Sequence, residues 1–156
     1  LTILGIDPGL EGAVALLTRS GELIGIHDLP TLPDGPAGRC RVNPVLLADI
    51  LAKTHASRAY VELVTSRPTD GHVSAFGFGM TRGLLEGVLA ALSLAPSSWK
   101  RIIGLPPGKE GAKDKSRAEA LRRCPSHAAL FARKRDHGRS DACLIGLAGL
   151  LREARQ

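Results

Sequence analysis

The chain has 156 residues, with 44% hydrophobic and 23% charged positions; that is the size and composition of one soluble domain able to bury a full core, and it excludes a disordered or low-complexity chain. The formal charge of +6 is uneven, since residues 1–95 hold seven Lys/Arg against nine Asp/Glu and residues 96–156 hold fourteen against six, so the C-terminal half is suited to a polyanionic partner. Cys40, Cys124 and Cys143 are odd in number without CxxC spacing, which argues against a disulfide framework or zinc site; with no signal-peptide pattern and no apolar run long enough to cross a bilayer, a reducing, cytoplasmic setting without membrane contact is expected.

In chain order, residues 2–7 read as a strand buried on both faces. Ala13–Thr18 is its antiparallel partner across Pro8-Gly9-Leu10-Glu11-Gly12, and Leu23–His27 is a third strand. A Pro/Gly-rich connection from Pro30 to Gly38 leads to Asn43, an N-cap with Pro44 at the first helical position, which predicts a helix over Val45–Lys53. The fourth strand, Ala59–Val64, is apolar apart from Glu62. From about 72 to 92 a helix is expected, with Gly79, Gly83 and Gly87 at four-residue spacing among leucines, followed by a short fifth strand near Leu94. Ser97 or Ser98 caps a helix through Trp99 to Ile103, a Gly- and Lys-rich loop covers Gly104–Lys113, and Ser116–Arg123 and Ser140–Arg155 are the last two helices. Three consecutive strands followed by alternating helix and strand imply an α/β domain with a mixed sheet and helices on both faces. One domain over 1–156 is the expectation.

The chemistry lies in the acids. Asp7 ends the first strand at a Pro-Gly turn, Glu62 sits in the fourth, and Asp136, His137 and Asp141 surround the start of the last helix. If the first and fourth strands are neighbours, Asp7 and Glu62 point the same way, and Asp141 faces the core side with Leu144, Ile145 and Ala148. Carboxylates crowded into one site must take up protons or bind cations. Hard divalent ions such as magnesium or manganese want oxygen ligands, and a pair of them about 3.5–4 Å apart suits phosphodiester hydrolysis. Each acid alone also has an ordinary reading: Asp7 as an Asx-type turn residue, Glu62 as a partner of Arg58 or Arg67, and Asp141 as an acid favoured by the helix dipole.

The stretches "GIDPGLEGAVALL", "VELV", "VSAFGFGMTRGLLEGVLAAL", "WK", "KDKSRAEALRRCP" and "RKRDHGRSDACLIGL" occur in an order and span that resemble the RuvC family of Holliday junction resolvases, most closely its phage branch. The first motif alone is weak, because RNase H-like folds and sugar-kinase or chaperone-type ATPases also open this way, but such ATPases need a second lobe for which this chain has no room. The resemblance implies an RNase H-like fold, three antiparallel strands followed by parallel ones between helical layers. It also implies a homodimer joined through the long helix and acting on four-way or branched DNA in a bacterial or phage-infected cytoplasm.

By the same resemblance the site would hold two Mg²⁺ ions, with Mn²⁺ able to substitute, and Asp7, Glu62 and Asp141 fall on the family ligands. Relatives carry an acid or His three residues before the last Asp, where this chain has Gly138, so Asp136 is taken as the fourth ligand with His137 close by as ligand or proton carrier. Lys100 and Lys115 match two lysines beside the scissile phosphate. Phe76 and Phe78, read as lying on a loop, are candidates to stack on opened bases, Phe76 being the one expected to be exposed. Arg67, Arg82 and His72 beside that loop, and Lys113 and Arg117 in the basic half, are candidate DNA contacts. Trp99 reads as core. A non-catalytic junction-binding protein and an RNase H-type nuclease on RNA–DNA hybrid remain as alternatives.

Overall fold

A computed structural model describes residues 2–36, 38–65, 69, 71–89, 91–106, 108 and 110–155. The apolar run after the N-terminus forms β1 (Thr2–Ile6), which pairs antiparallel with β2 (Ala13–Thr18); β2 pairs antiparallel with β3 (Leu23–Asp28). The Pro/Gly-rich segment, read from sequence as connection only, also contains a two-stranded ribbon of β4 (Thr31–Pro33) and β5 (Cys40–Val42). Helix α1 (Pro44–Thr54) starts as expected: Asn43 Oδ1 accepts from the amides of Val45 and Leu46 at 3.1 and 3.2 Å.

Strand β6 (Ala56–Glu62) then runs parallel to β1, followed by α2 (His72–Val88) and β7 (Ala91–Leu94), which runs parallel to β6. The main sheet thus has the order β3-β2-β1-β6-β7, antiparallel on one side of β1 and parallel on the other. Helices α3 (Pro96–Ile103), α4 (Ala112–Arg123) and α5 (His137–Glu153) complete the chain, with 3₁₀ turns at Pro125–Phe131 and Lys134–Asp136. The expected α/β architecture is present. Among the described residues, no helix is long and apolar enough to cross a membrane.

Strand alternation divides the core in two. Leu4, Ile6, Val14, Ala59 and Val61 face one side with Leu47 and Leu51 of α1 and Leu85 of α2. Ile3, Ala13, Ala15, Leu17 and Tyr60 face the other, with Trp99 and Ile103 of α3, Ala120 of α4 and Ala142–Ile145 of α5. Helix α5 lies deep in that second layer, with Ala142 through Gly149 all buried. It comes so close to β1 that a Cβ on Gly5 would collide with the carbonyl oxygen of Ala142 and the amide nitrogen of Gly146. Both ends of the helix are fastened to the sheet. Arg139 holds Asp28 of β3 through two bonds of 2.6 Å, and Tyr60 and Arg58 of β6 both bond the Glu153 carboxylate.

Several boundaries differ from the sequence expectation. The long helix ends at Val88 instead of about 92, which leaves room for β7. Helices α4 and α5 begin four and three residues earlier than expected. The segment "HVSAFGFG" is helical from His72, with Gly71 preceding it and its carbonyl accepting from the Ala75 amide at 3.0 Å. Phe76 and Phe78 therefore ride on the first turns of α2 and not on a loop.

Candidate active site

Alternation along the strands fixes the direction of the first two acids. Ile3 and Gly5 of β1 face the α5 layer, so Asp7, two residues on, faces it as well; Tyr60 faces it from β6, and so does Glu62. Ile6 pairs with Val61 across the parallel ladder, so Asp7 and Glu62 are the next residues along neighbouring strands, both at C-terminal ends. The strand carrying Glu62 ends at that residue, two positions short of the predicted end. Asp141 arrives from the second turn of α5, next to the Ala142 carbonyl that touches Gly5.

The electrostatics report the crowding. Burial, then the charge of Asp141, then that of Glu62 push the Asp7 carboxyl from its ordinary 3.8 to about 7; the Gly9 amide, donating to Asp7 Oδ1 at 3.2 Å, and Lys113 act against them. Burial also raises Asp141, opposed by the Ser116 hydroxyl and by the charges of Lys100, His137 and Lys113. Asp141 Oδ1 is buried without a hydrogen-bond partner. Glu62 Oε1 accepts from the Trp99 indole N–H at 2.9 Å.

Three carboxylates, one with an unsatisfied buried oxygen, form a donor set that fits a hard divalent cation. The side chains share one field without being drawn together: among the described residues, no group of three or more His, Cys, Asp or Glu is close enough as it stands to hold an ion. Mutual repulsion opposes a closer approach, and protonation of Asp7 near neutral pH is the other way to tolerate it.

Asp136 does not join them. Its carboxylate is bound by Arg133 through the amide at 2.8 Å and the guanidinium at 2.8 to 3.1 Å, with Arg139 at 3.6 Å. These bonds hold its pKa below the usual range and leave both oxygens engaged. The residue turned toward Asp141 is His137, one helical turn earlier; its Nε2 lies 3.6 Å from Glu11 Oε2. Gly138, at the position where the resemblance implies a ligand, has no space for a side chain, because a Cβ there would strike the Glu11 carbonyl of the β1–β2 turn.

The basic residues also sort by helix face. Because α4 starts at Ala112, Lys113 shares a face with buried Ser116 and Ala120, and its charge acts at both Asp7 and Asp141. Lys113 and Lys115 are both exposed, but at helical spacing Lys115 lies on the face of α4 away from Ser116 and Ala120, so the structure does not direct it to the acids. Lys100 acts on Asp141. Arg117 is committed to structure, donating to the carbonyls of Phe131 and Ala132 at 3.1 and 2.8 Å and to Asp114 at 2.9 Å. Arg82 pairs with Glu86 at 2.7 Å and stays on the surface. Phe76 is 70% exposed and Phe78 36%; Arg67 lies outside the described residues.

Two contributors were missed from sequence. Ser116 was read only as the start of a helix, and Trp99 only as core; for Trp99 the available signal was an indole N–H that must find an acceptor when buried. A cleft of about 410 Å³, lined by Arg19, Arg123, Leu147 and Leu150, lies at the end of the sheet opposite the acids, by the β2–β3 turn.

No protein-family model matches the chain. Over 101 residues it is 35% identical to the chloroplastic Holliday junction resolvase MOC1 of Chlamydomonas reinhardtii, a match that covers 60% of this chain and 11% of that protein. This chain thus corresponds to about a tenth of the curated relative's length. Among solved structures, T. thermophilus RuvC in complex with a Holliday junction substrate aligns with a TM-score of 0.69 at 17% identity, over 99% of this chain and 96% of that one. Another Thermus thermophilus RuvC structure gives 0.62 at 16% identity with the same coverage. The fold is RuvC-like.

Proposed function

We propose that this chain is a metal-dependent endonuclease that cuts four-way or branched DNA in the manner of a Holliday junction resolvase. The observation carrying this reading is the convergence of Asp7, Glu62 and Asp141, from three distant segments, where burial first and then the charges of Asp141 and Glu62 push Asp7 up to about 7. Both RuvC-like structural neighbours and the matched part of the algal resolvase support it.

In this reading Asp7, Glu62 and Asp141, with His137 as the fourth group, hold two Mg²⁺ or Mn²⁺ ions, which supply Lewis-acid stabilisation and a strong oxygen nucleophile at neutral pH. The chain's own groups do the rest. Lys113 and Lys100, already directed at the acids, meet the charge that builds on the phosphate in the transition state. Phe76, exposed near the start of α2 and hence at the same end of the sheet as the acids, offers a ring on which an unpaired base stacks, a contact worth about 1–3 kcal/mol.

Two opposed nicks need two sites, so the active form is a homodimer. The second half of α2 suits that contact: Met80, Gly83, Gly87 and Val88 are exposed, and the space over both glycines is open, which permits close helix approach. The test is cleavage of a synthetic four-way junction by purified protein with Mg²⁺ or Mn²⁺. Paired symmetric nicks are expected from the wild type, whereas Asp7→Asn should bind the junction without cutting it. Junction binding with no cleavage by the wild type in either metal would leave a non-catalytic binding protein, and preferential cutting of RNA–DNA hybrid by a monomer would indicate an RNase H-type activity.

A further inference from the structure

The sequence places a single tryptophan in the chain, Trp99, in the middle of an eight-residue helix. Pro96 at the first helical position and the short step from β7 set where that helix begins, and the Leu63 amide, bonded to the Leu94 carbonyl at 2.8 Å, ties the end of β6 to the same strand. The result is that Trp99 sits fully buried beside the C-terminal end of β6, with its Nε1–H donating to Glu62 Oε1 at 2.9 Å. The next residue, Lys100, places its ammonium 5.1 Å from the centre of the indole ring and acts on Asp141.

We infer that Trp99 is a positioning residue for the site, its indole N–H fixing the Glu62 carboxylate in the orientation that receives divalent ions. The inference rests on the nuclease reading above. An indole nitrogen donates and never accepts, so it orients the carboxylate without competing for a cation. A buried indole N–H also needs its acceptor, so losing Glu62 would strand the Trp99 donor. Helix α3 thereby addresses two of the acids with consecutive side chains, Trp99 through a hydrogen bond to Glu62 and Lys100 through its charge at Asp141.

A tryptophan serving only as core volume would be replaced by phenylalanine with little effect on ions. Trp99→Phe keeps an aromatic ring and removes the donor. Calorimetry of Mn²⁺ binding should show affinity lowered about 10- to 100-fold, the range for loss of a group that orients a metal ligand. Junction binding in EDTA should be unchanged. Wild-type protein supplies a second readout, because emission from its sole tryptophan should change on Mg²⁺ titration with the same half-saturation as a calorimetric titration with Mg²⁺.

A folded Trp99→Phe protein that binds Mn²⁺ as tightly as the wild type overturns the inference. So does wild-type emission that stays flat while calorimetry registers binding, and this second result decides the matter alone if the variant does not fold. Absence of Mn²⁺ and Mg²⁺ binding by the wild type would instead overturn the nuclease reading itself, and this inference with it.

Discussion

Asp7→Asn should make the ion-free protein more stable, by an amount that depends on pH. Asp7 is raised from 3.8 in the unfolded chain to about 7 in the fold. Below 3.8 the carboxyl is protonated in both states and contributes nothing. Between 3.8 and 7 the folded state retains a proton that the unfolded state has released, so stability falls steadily as pH rises, and above 7 the full cost of the buried anion is present. At 1.36 kcal/mol per pKa unit the difference is about 4 kcal/mol, and solvent reaching this partly buried site reduces it to roughly 2–3 kcal/mol.

Asparagine removes the charge while its Oδ1 still accepts from the Gly9 amide, so the local turn survives. Thermal midpoints of wild type and Asp7→Asn, measured in EDTA from pH 4 to pH 9, should coincide at the acid end and diverge until about pH 7. For a chain of this length each kcal/mol moves the midpoint by about 2–4 °C. Saturating Mg²⁺ should then stabilise the wild type preferentially and close the gap. A difference between the two proteins that is constant with pH would refute the reasoning, because it would mean that Asp7 does not bear the strain assigned to it.

Gly138→Ala should destabilise the fold by about 1–3 kcal/mol, because its Cβ meets the backbone of Glu11 and not a yielding side chain, and thermal melts will read the loss. His137→Ala should abolish junction cleavage at nearly unchanged stability, whereas Asp136→Asn should lower stability by about 1–3 kcal/mol through its bonds to Arg133 and retain cleavage once folded; cleavage and melting of the pair assign the fourth group. Lys113→Ala should reduce the single-turnover cleavage rate at least tenfold with junction affinity little altered, whereas Lys115→Ala should weaken binding slightly in low salt and leave that rate intact.

The order of elements and the convergence of Asp7 and Glu62 were legible because they follow from period-two alternation, and Asp141 because helical spacing puts it on the core side of α5. Once β1 and β6 are neighbours, a residue two beyond Gly5 and one two beyond Tyr60 must share a face. What was not legible depends on where irregular segments turn regular. Starting α4 at Ala112 instead of Ser116 brings Lys113 to the acids and leaves Lys115 on the far side, and a glycine with positive φ, Gly111, marks that start inside what reads as loop. Asp136 looks like a ligand in sequence because nothing periodic shows that a 3₁₀ turn folds Arg133 back onto it. The β4–β5 ribbon was hidden by its prolines and glycines, which signal turns without revealing that three residues on either side pair.

Helix α5, clamped at Asp28 and at Glu153 and buried from Ala142 through Gly149, is held to the sheet through its centre. Its central amides should exchange with deuterium only when the whole molecule opens, so the scaffold bearing Asp141 is as durable as the domain itself. Helix α2, with Val73, Phe76, Met80 and Val88 exposed and its glycines in open space, belongs to the opposite end of that scale. Under the proposed nuclease reading, the labour is divided thermodynamically: a cutting edge that yields last, beside a grip that adjusts at little cost to the shape it meets.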